Sequence, residues 1–163
     1  MPLDIYLAYD VVANIKDLFT EYTKLLIDLE SGFQNYLDIQ NYDSEIENIK
    51  EKYGLPYGRL YIAYSDNQAV GCIALRKINE VECEMKRLYV RPQFRGNGIA
   101  KSLVRLIVND ARKIGYKYML LDTLPGLKAA VRLYENFGFY RISPYNDSPV
   151  ENTIFMKLDI NLN

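Results

Sequence analysis

Residues 83–90 alternate like a strand, and residues 99–114 repeat apolar side chains at helical spacing. Between them lies Gln93-Phe94-Arg95-Gly96-Asn97-Gly98-Ile99-Ala100. A strand, a tight glycine turn and a helix start in direct succession tie the chain to a sheet with a helix folded back on it. They also make a cradle for paired phosphates. Gly96 and Gly98 carry no Cβ and let backbone approach a ligand closely. The first turn of the helix offers N–H groups without internal partners, at the positive end of its dipole. Arg95 adds a cation beside this nest.

Two nucleotide-binding patterns with glycine loops do not fit. The dinucleotide fingerprint G-x-G-x-x-G would need a third glycine where Lys101 stands, and an acidic residue ending a second parallel strand. A Walker A loop needs G-x-x-x-x-G-K-[ST], which is absent. A tight strand-to-helix turn that binds nothing stays open on the loop alone.

With 163 residues, the chain is read as one domain, 1–163, able to bury a sizeable core. Its 20 basic and 21 acidic residues give a net charge of −1, so no nucleic-acid partner is expected. No run of 18 apolar residues predicts a membrane span, and the N-terminus lacks a secretory pattern, so a cytoplasmic location is expected. Histidine is absent, which excludes Ser-His and Cys-His triads and most zinc sites; no metal is expected. With Asn79-Glu80 as a two-residue turn, Cys83 falls opposite Arg76, far from Cys72, so both cysteines are read as reduced core thiols. Most of the 15 tyrosines are read as amphipathic packing residues.

The pattern predicts a first strand over 3–9 and a helix over 15–29, capped by Asn14 and ended by Gly32. A second helix is expected over 44–52, started by Asp43 or Ser44 and stopped by Gly54 and Pro56. Residues 31–42 read as helix or loop. Strands at 59–64, 68–77 and 81–90 form an antiparallel meander. The long helix closes at Gly115, and 118–122 is a short apolar strand suited to a sheet centre. Pro125 suits the first position of a helix capped by Asp122 or Thr123 and running to about residue 136. Strands at 139–142 and 152–158 complete the set. In the fourth strand, apolar residues sit at Cys83 and Met85, then at Leu88 and Val90. That change of parity calls for a one-residue bulge, a device that bends and splays a strand.

The run from Glu84 to Ala100 resembles the acetyl-CoA-binding motif of the GCN5-related N-acetyltransferases (GNAT), with Gln93-x-x-Gly96-x-Gly98 matching Q/R-x-x-G-x-G/A. Leu133-Tyr134-Glu135-Asn136-Phe137-Gly138-Phe139 resembles the later L-Y-x-x-x-G-F segment of that family. The resemblance is specific over residues 71–140 and rests on element order elsewhere. It implies an α/β (α+β) fold: a mixed, mostly antiparallel sheet of about seven strands with flanking helices and a splayed, bulged fourth strand. It implies acetyl-CoA as co-substrate, with the backbone of Leu88, Tyr89 and Val90 pairing with the pantetheine as an added strand would. Arg95, Gly96, Asn97, Gly98, Ile99 and Ala100 would hold the diphosphate, and Tyr134 would stand near the thioester sulfur. Leu127 occupies a position where many relatives carry asparagine, which removes one side-chain contact to the cofactor arm.

The chemistry of acyl transfer to an amine sets the remaining roles. An alkylammonium, with a pKa near 10.4, must shed a proton before it attacks. Without histidine the candidates are Glu84, Glu82 or water; Glu84 matches a base used by some relatives. The alternative is that Glu82, Glu84 and Lys86 form a solvated strand face with cross-strand ion pairs. Tyr134 is the candidate acid for the departing thiolate, against a packing role with Ala130 and Phe137. A backbone N–H near Leu88, freed by the bulge, is the candidate oxyanion donor. Lys86, Arg87, Arg91, Arg95 and Lys101 cluster around the loop, and a cofactor with three phosphate groups accounts for them.

The expected activity is acetyl transfer from acetyl-CoA to a primary amine by direct attack in a ternary complex. A non-catalytic acyl-CoA-binding domain of the same fold is the alternative. Asp28, Glu30, Tyr36, Asp38, Tyr42 and Asp43, with the 145–150 loop, favour a cationic acceptor. A homodimer is plausible from the family resemblance alone.

Overall fold

The computed structural model describes residues 2–29, 44–148 and 150–160. The elements are β1 (Asp4–Leu7), α1 (Val12–Leu29), a helical turn at 44–47, α2 (Ile49–Tyr53), β2 (Arg59–Ser65), β3 (Gln68–Lys77), β4 (Glu82–Val90), a 3₁₀ turn (Pro92–Phe94), α3 (Ile99–Ile114), β5 (Tyr118–Thr123), α4 (Lys128–Phe137), β6 (Tyr140–Ile142) and β7 (Ile154–Asp159). The seven strands form one open sheet in the order β1-β2-β3-β4-β5-β7-β6. All neighbours are antiparallel except β4 and β5, which run parallel.

The sheet is covered on both faces. On one side α3 presents Ile99, Leu103, Val104, Ile107, Val108 and Ala111 at helical spacing to Ile73, Leu75, Cys83, Met85, Met119 and Leu121. Each such side chain stabilises by about 1.5–3 kcal/mol when fully buried, and truncating Ile107 to alanine is expected to cost about 2–5 kcal/mol. Gly115, with φ +111°, ends this helix in the left-handed conformation that glycine takes without strain. On the other side Ile15, Leu18 and Phe19 of α1 and Ile49 and Tyr53 of α2 pack on Leu60, Ile62, Cys72, Ala74 and Tyr89. Both cysteines are free and buried.

Four local expectations need correction. Helix α1 begins at Val12, because the Val11 carbonyl already accepts from the amides of Asn14 and Ile15. Asn14 lies inside the helix and spends its amide on the Tyr64 hydroxyl at 2.8 Å. The second helix is interrupted at Asn48 (φ −111°, ψ 32°), whose side chain donates to the Ser44 carbonyl and competes with the helical ladder. The β3–β4 hairpin is one residue looser than a two-residue turn: Lys77 faces Cys83 and Arg76 faces Glu84. The cause is Asn79, whose side-chain oxygen accepts from the amides of Val81 and Glu82 and holds a wider loop. Finally, Pro125 and Gly126 form a turn closed by the Leu127 amide on the Leu124 carbonyl, so α4 starts only at Lys128. The predicted stop at Gly32 and start at Asp43 lie outside the described residues.

The parity change in β4 is a bulge, as the sequence predicts. Ala74 pairs with Lys86 and Cys72 with Tyr89, so Arg87 and Leu88 together oppose Ile73. Arg87 has φ +60°. A residue with a Cβ in this left-handed region costs on the order of 1–2 kcal/mol. With the extra residue inserted, Cys83, Met85, Leu88 and Val90 all meet the α3 layer. The parallel ladder to β5 ends early: Glu82 pairs with Tyr118, Cys83 with Met119 and Glu84 with Leu120. Beyond these three pairs the two strands diverge.

Candidate active site

The divergence opens a cleft in the middle of the sheet. Its walls are Met85, Lys86, Arg87 and Leu88 of β4 and Leu121, Asp122 and Thr123 at the end of β5. Tyr22 and Leu26 of α1, Tyr134 of α4, and Ser148 and Thr153 from the β6–β7 connection close it. On its other edge, β4 pairs Tyr89 with Cys72 and Val90 with Gly71. Among the described residues no strand pairs with the edge of Leu88, Tyr89 and Val90 that faces the divergence; the Val90 carbonyl is taken by Arg95, and the remaining backbone groups of that edge are offered to whatever enters.

The glycine loop leads from β4 to α3. Gly96 and Gly98 have φ of +83° and +77°, values that side-chain-bearing residues adopt only with strain. A Cβ built on either meets no atom within 4 Å, so the loop encloses open space. Gly98 caps α3 without a side-chain bond, and the first helical bond is from the Ser102 amide to the Gly98 carbonyl. The amides of Ile99 and Ala100 have no protein acceptor among the described residues. Asn97 braces the loop by donating to the Phe94 carbonyl. These features fit a diphosphate: several free donors, a helix N-terminus and room for oxygen atoms.

The basic cluster does not serve as one unit. Arg91 grips Glu21 of α1 and the Ala69 carbonyl. Arg95 donates to the Val90 carbonyl at 2.9 Å and lies over the Tyr89 ring. Arg87 turns its guanidinium, 11% exposed, under α1 to Glu45 at 2.7 Å. Lys86 lines the cleft, and Lys101 is exposed on the first turn of α3. Three of the five cations expected to face phosphate are thus bound up in internal contacts.

Tyr134 lies buried at the back of the cleft, its ring edge-on to Phe139. Its hydroxyl has no hydrogen-bond partner among the described residues. Burial raises its pKa well above the ordinary tyrosine value, helped by Tyr22 and Asp122. The hydroxyl therefore keeps its proton throughout the physiological range.

Glu84 sits at the last paired rung before the divergence, with 3% of its surface exposed. Arg76 Nε donates to Oε1 at 2.6 Å and the Tyr145 hydroxyl donates to Oε2 at 2.6 Å. Burial pushes its pKa up, but Lys86, Tyr145 and Arg76 outweigh burial and the net shift is downward. Both oxygens of this candidate base are thus engaged by protein donors, and the carboxyl is held in its ionised form. Glu82 stands at the hairpin end of β4, held by Asn79 and near Lys157. The carboxylate that lines the cleft is Asp122, half-buried, with Asn146 donating to its Oδ2 at 2.7 Å. In sequence Asp122 reads as a helix cap; its position at the end of the central strand, before Pro125-Gly126, is the signal for its place in the cleft. Of the acidic and tyrosine residues named for the acceptor side, Asp28 is exposed on α1, and Glu30, Tyr36, Asp38, Tyr42 and Asp43 lie outside the described residues.

Among the described residues no helix is long and apolar enough to cross a membrane. No group of His, Cys, Asp or Glu among them could hold a metal ion.

The fold is found in solved acetyltransferases. A crystal structure of an acetyltransferase from Streptococcus agalactiae superposes with a TM-score of 0.77 at 22% identity, covering 96% of this chain and 98% of that one. Campylobacter jejuni N-acetyltransferase PseH, solved in complex with acetyl coenzyme A, has a TM-score of 0.63 at 15% identity, covering 97% and 99%. In sequence, the chain is 43% identical over 126 residues to an uncharacterized N-acetyltransferase of Schizosaccharomyces pombe, covering 76% of this chain and 77% of that one. Residues 19–139 match the pattern of the Acetyltransferase (GNAT) family, a span that includes the bulged strand, the glycine loop and Tyr134. With the divided sheet, the open cradle and this match in hand, the chain belongs to the Acetyltransferase (GNAT) family and is an acyltransferase.

Proposed function

We propose that the protein is an acetyl-CoA-dependent N-acetyltransferase that acetylates a primary amine by direct attack in a ternary complex. One observation carries the reading: Leu88 of the bulged strand, Tyr134 and Asp122 line one cleft where β4 and β5 part, and the strand that forms its wall leads into the open glycine loop. Acetyl-CoA supplies the activated acyl group as a thioester.

The loop amides and Gly96, Asn97 and Gly98 hold the diphosphate, with Ile99 and Ala100 at the helix start and Arg95 beside them. The backbone of Leu88, Tyr89 and Val90 binds the pantetheine arm. Asp122 receives the ammonium of the acceptor, and cleft water carries off its proton. The Leu88 amide donates to the acyl oxygen as negative charge gathers there. Tyr134 donates its proton to the sulfur as the carbon–sulfur bond breaks, and regains one from water. Cys72 and Cys83 are buried away from this path, which favours transfer without an acyl-cysteine. Their free thiols also favour a reducing, cytoplasmic setting.

The test is calorimetry with acetyl-CoA followed by thiol release with a panel of cationic and neutral amines. Binding with acceptor-dependent thiol release supports the proposal. Binding without release from any amine would make this a sensing domain, and no binding would remove the cofactor reading.

A further inference from the structure

We propose that Arg87, anchored by Glu45, is a positioning residue that locks the β4 bulge and thereby aims the Leu88 amide into the cleft. This rests on the reading of Leu88 as the oxyanion donor.

Among the described residues, three that are not glycine have positive φ. Asp66 and Asn67 form the β2–β3 turn, and their short polar side chains tolerate that region. Arg87 has no such excuse: glycine would adopt its backbone conformation without strain. What arginine brings is an anchor. Its guanidinium reaches Glu45 Oε2 at 2.7 Å and lies 5.2 Å from the centre of the Phe19 ring. Glu45 is itself fixed, accepting from Lys52 at 2.6 Å and from the Tyr53 hydroxyl at 2.9 Å. From the other side, the Cys72 thiol donates to the Arg87 carbonyl at 3.3 Å. Side chain and carbonyl are therefore held at once, and the next amide in the chain is that of Leu88.

The anchor is not arranged for stability alone. Arg87 Nε is buried without a hydrogen-bond partner, and Glu45 Oε2 meets the guanidinium as an ion pair rather than as an aligned hydrogen bond. A buried ion pair contributes little net stability, yet it can select one arrangement over others. Here the choice is between a left-handed and an extended bulge. Because Glu45 lies on the helical turn at 44–47, the pair also ties the thioester side of the cleft to the helices on the α1 face.

The experiment compares Glu45→Gln, Arg87→Gly and Arg87→Ala. Turnover is expressed per folded molecule, acetyl-CoA affinity is measured by calorimetry, and thermal melts are recorded. Wild-type turnover establishes acetyl transfer separately from the role of the anchor. Glu45→Gln keeps the shape of the anchor but removes its charge; its kcat is expected to fall about tenfold, while acetyl-CoA affinity changes less than about threefold. Arg87→Ala loses the anchor and retains the strain, so its kcat is expected to fall further than that of Arg87→Gly, which adopts the left-handed form freely. If all three kept wild-type kcat while only their melting temperatures fell, the pair would be structural and the proposal overturned. Equal losses in the glycine and alanine variants would also overturn it, because backbone conformation would not be what the anchor controls.

Discussion

Tyr134 and Asp122 line the same cleft, and the proposed mechanism gives them different tasks. Burial raises the tyrosine pKa, so its proton is present whenever a thiolate must be met. Tyr134→Phe is expected to lower kcat by about 100-fold with little effect on the affinity for acetyl-CoA, measured by steady-state kinetics and calorimetry. Since the raised pKa keeps the phenol protonated, wild-type kcat should show no alkaline decline up to about pH 10, the ordinary tyrosine value. Asp122→Asn should raise KM for a cationic acceptor by about tenfold and leave a neutral acceptor unaffected, because a carboxylate facing an ammonium contributes a charge-assisted bond. The first of these residues was legible in the sequence through its L-Y-x-x-x-G-F setting. The second was not, because an aspartate before Pro-Gly reads as a turn or cap, and only the divergence of β4 and β5 brings it to the cleft wall.

At the scale of elements, the strand–loop–helix unit is where local rules and tertiary structure agree. Gly98→Ala would strain a φ of +77° and place a methyl in the space the loop leaves open. The expected result is a loss of acetyl-CoA affinity of at least about tenfold, with a stability loss of only about 1 kcal/mol, read by calorimetry and thermal melts. The long helix was predicted to its last residue, since an apolar stripe and a terminal glycine mark both its face and its end. The bulge was predicted from parity alone, because an inserted residue must shift the buried face. Three of the four errors fell where a side chain outbids the backbone pattern: Asn79 widens a hairpin, Asn48 breaks a helix, and Asn14 bonds Tyr64 from inside its helix; the fourth is the backbone turn at Pro125-Gly126. The fate of the arginines was likewise hidden. Arg87 and Arg91 stand near the loop in sequence but find Glu45 and Glu21, far off in the chain.

Across the whole molecule, two buried carboxylates link stability to pH. For Glu45, burial pushes the pKa up, but Arg87 and Lys52 outweigh it and the net shift is downward, as for Glu84. A carboxylate depressed on folding adds stability above its unfolded pKa, and that contribution disappears as pH falls through the folded value. The melting temperature should therefore drop steeply below about pH 4.3, the ordinary glutamate value. In Glu45→Gln the drop should be shallower, with a lower starting point at neutral pH; calorimetric melts across pH 3–7 would record both, and parallel curves would count against the linkage.

The proposed reaction frees coenzyme A at each turnover, and its sulfhydryl accumulates beside the enzyme. Once an oxidant has coupled two such molecules into coenzyme A disulfide, an exposed protein thiolate can attack that disulfide, form a mixed disulfide and release one coenzyme A thiolate. Cys72, its pKa pushed up to about 12 by burial, and Cys83, pushed higher still, offer no thiolate to exchange. Native protein incubated with coenzyme A disulfide should gain no mass, whereas the urea-unfolded chain should take up one adduct per cysteine, so the catalyst is insulated from capture by what it makes.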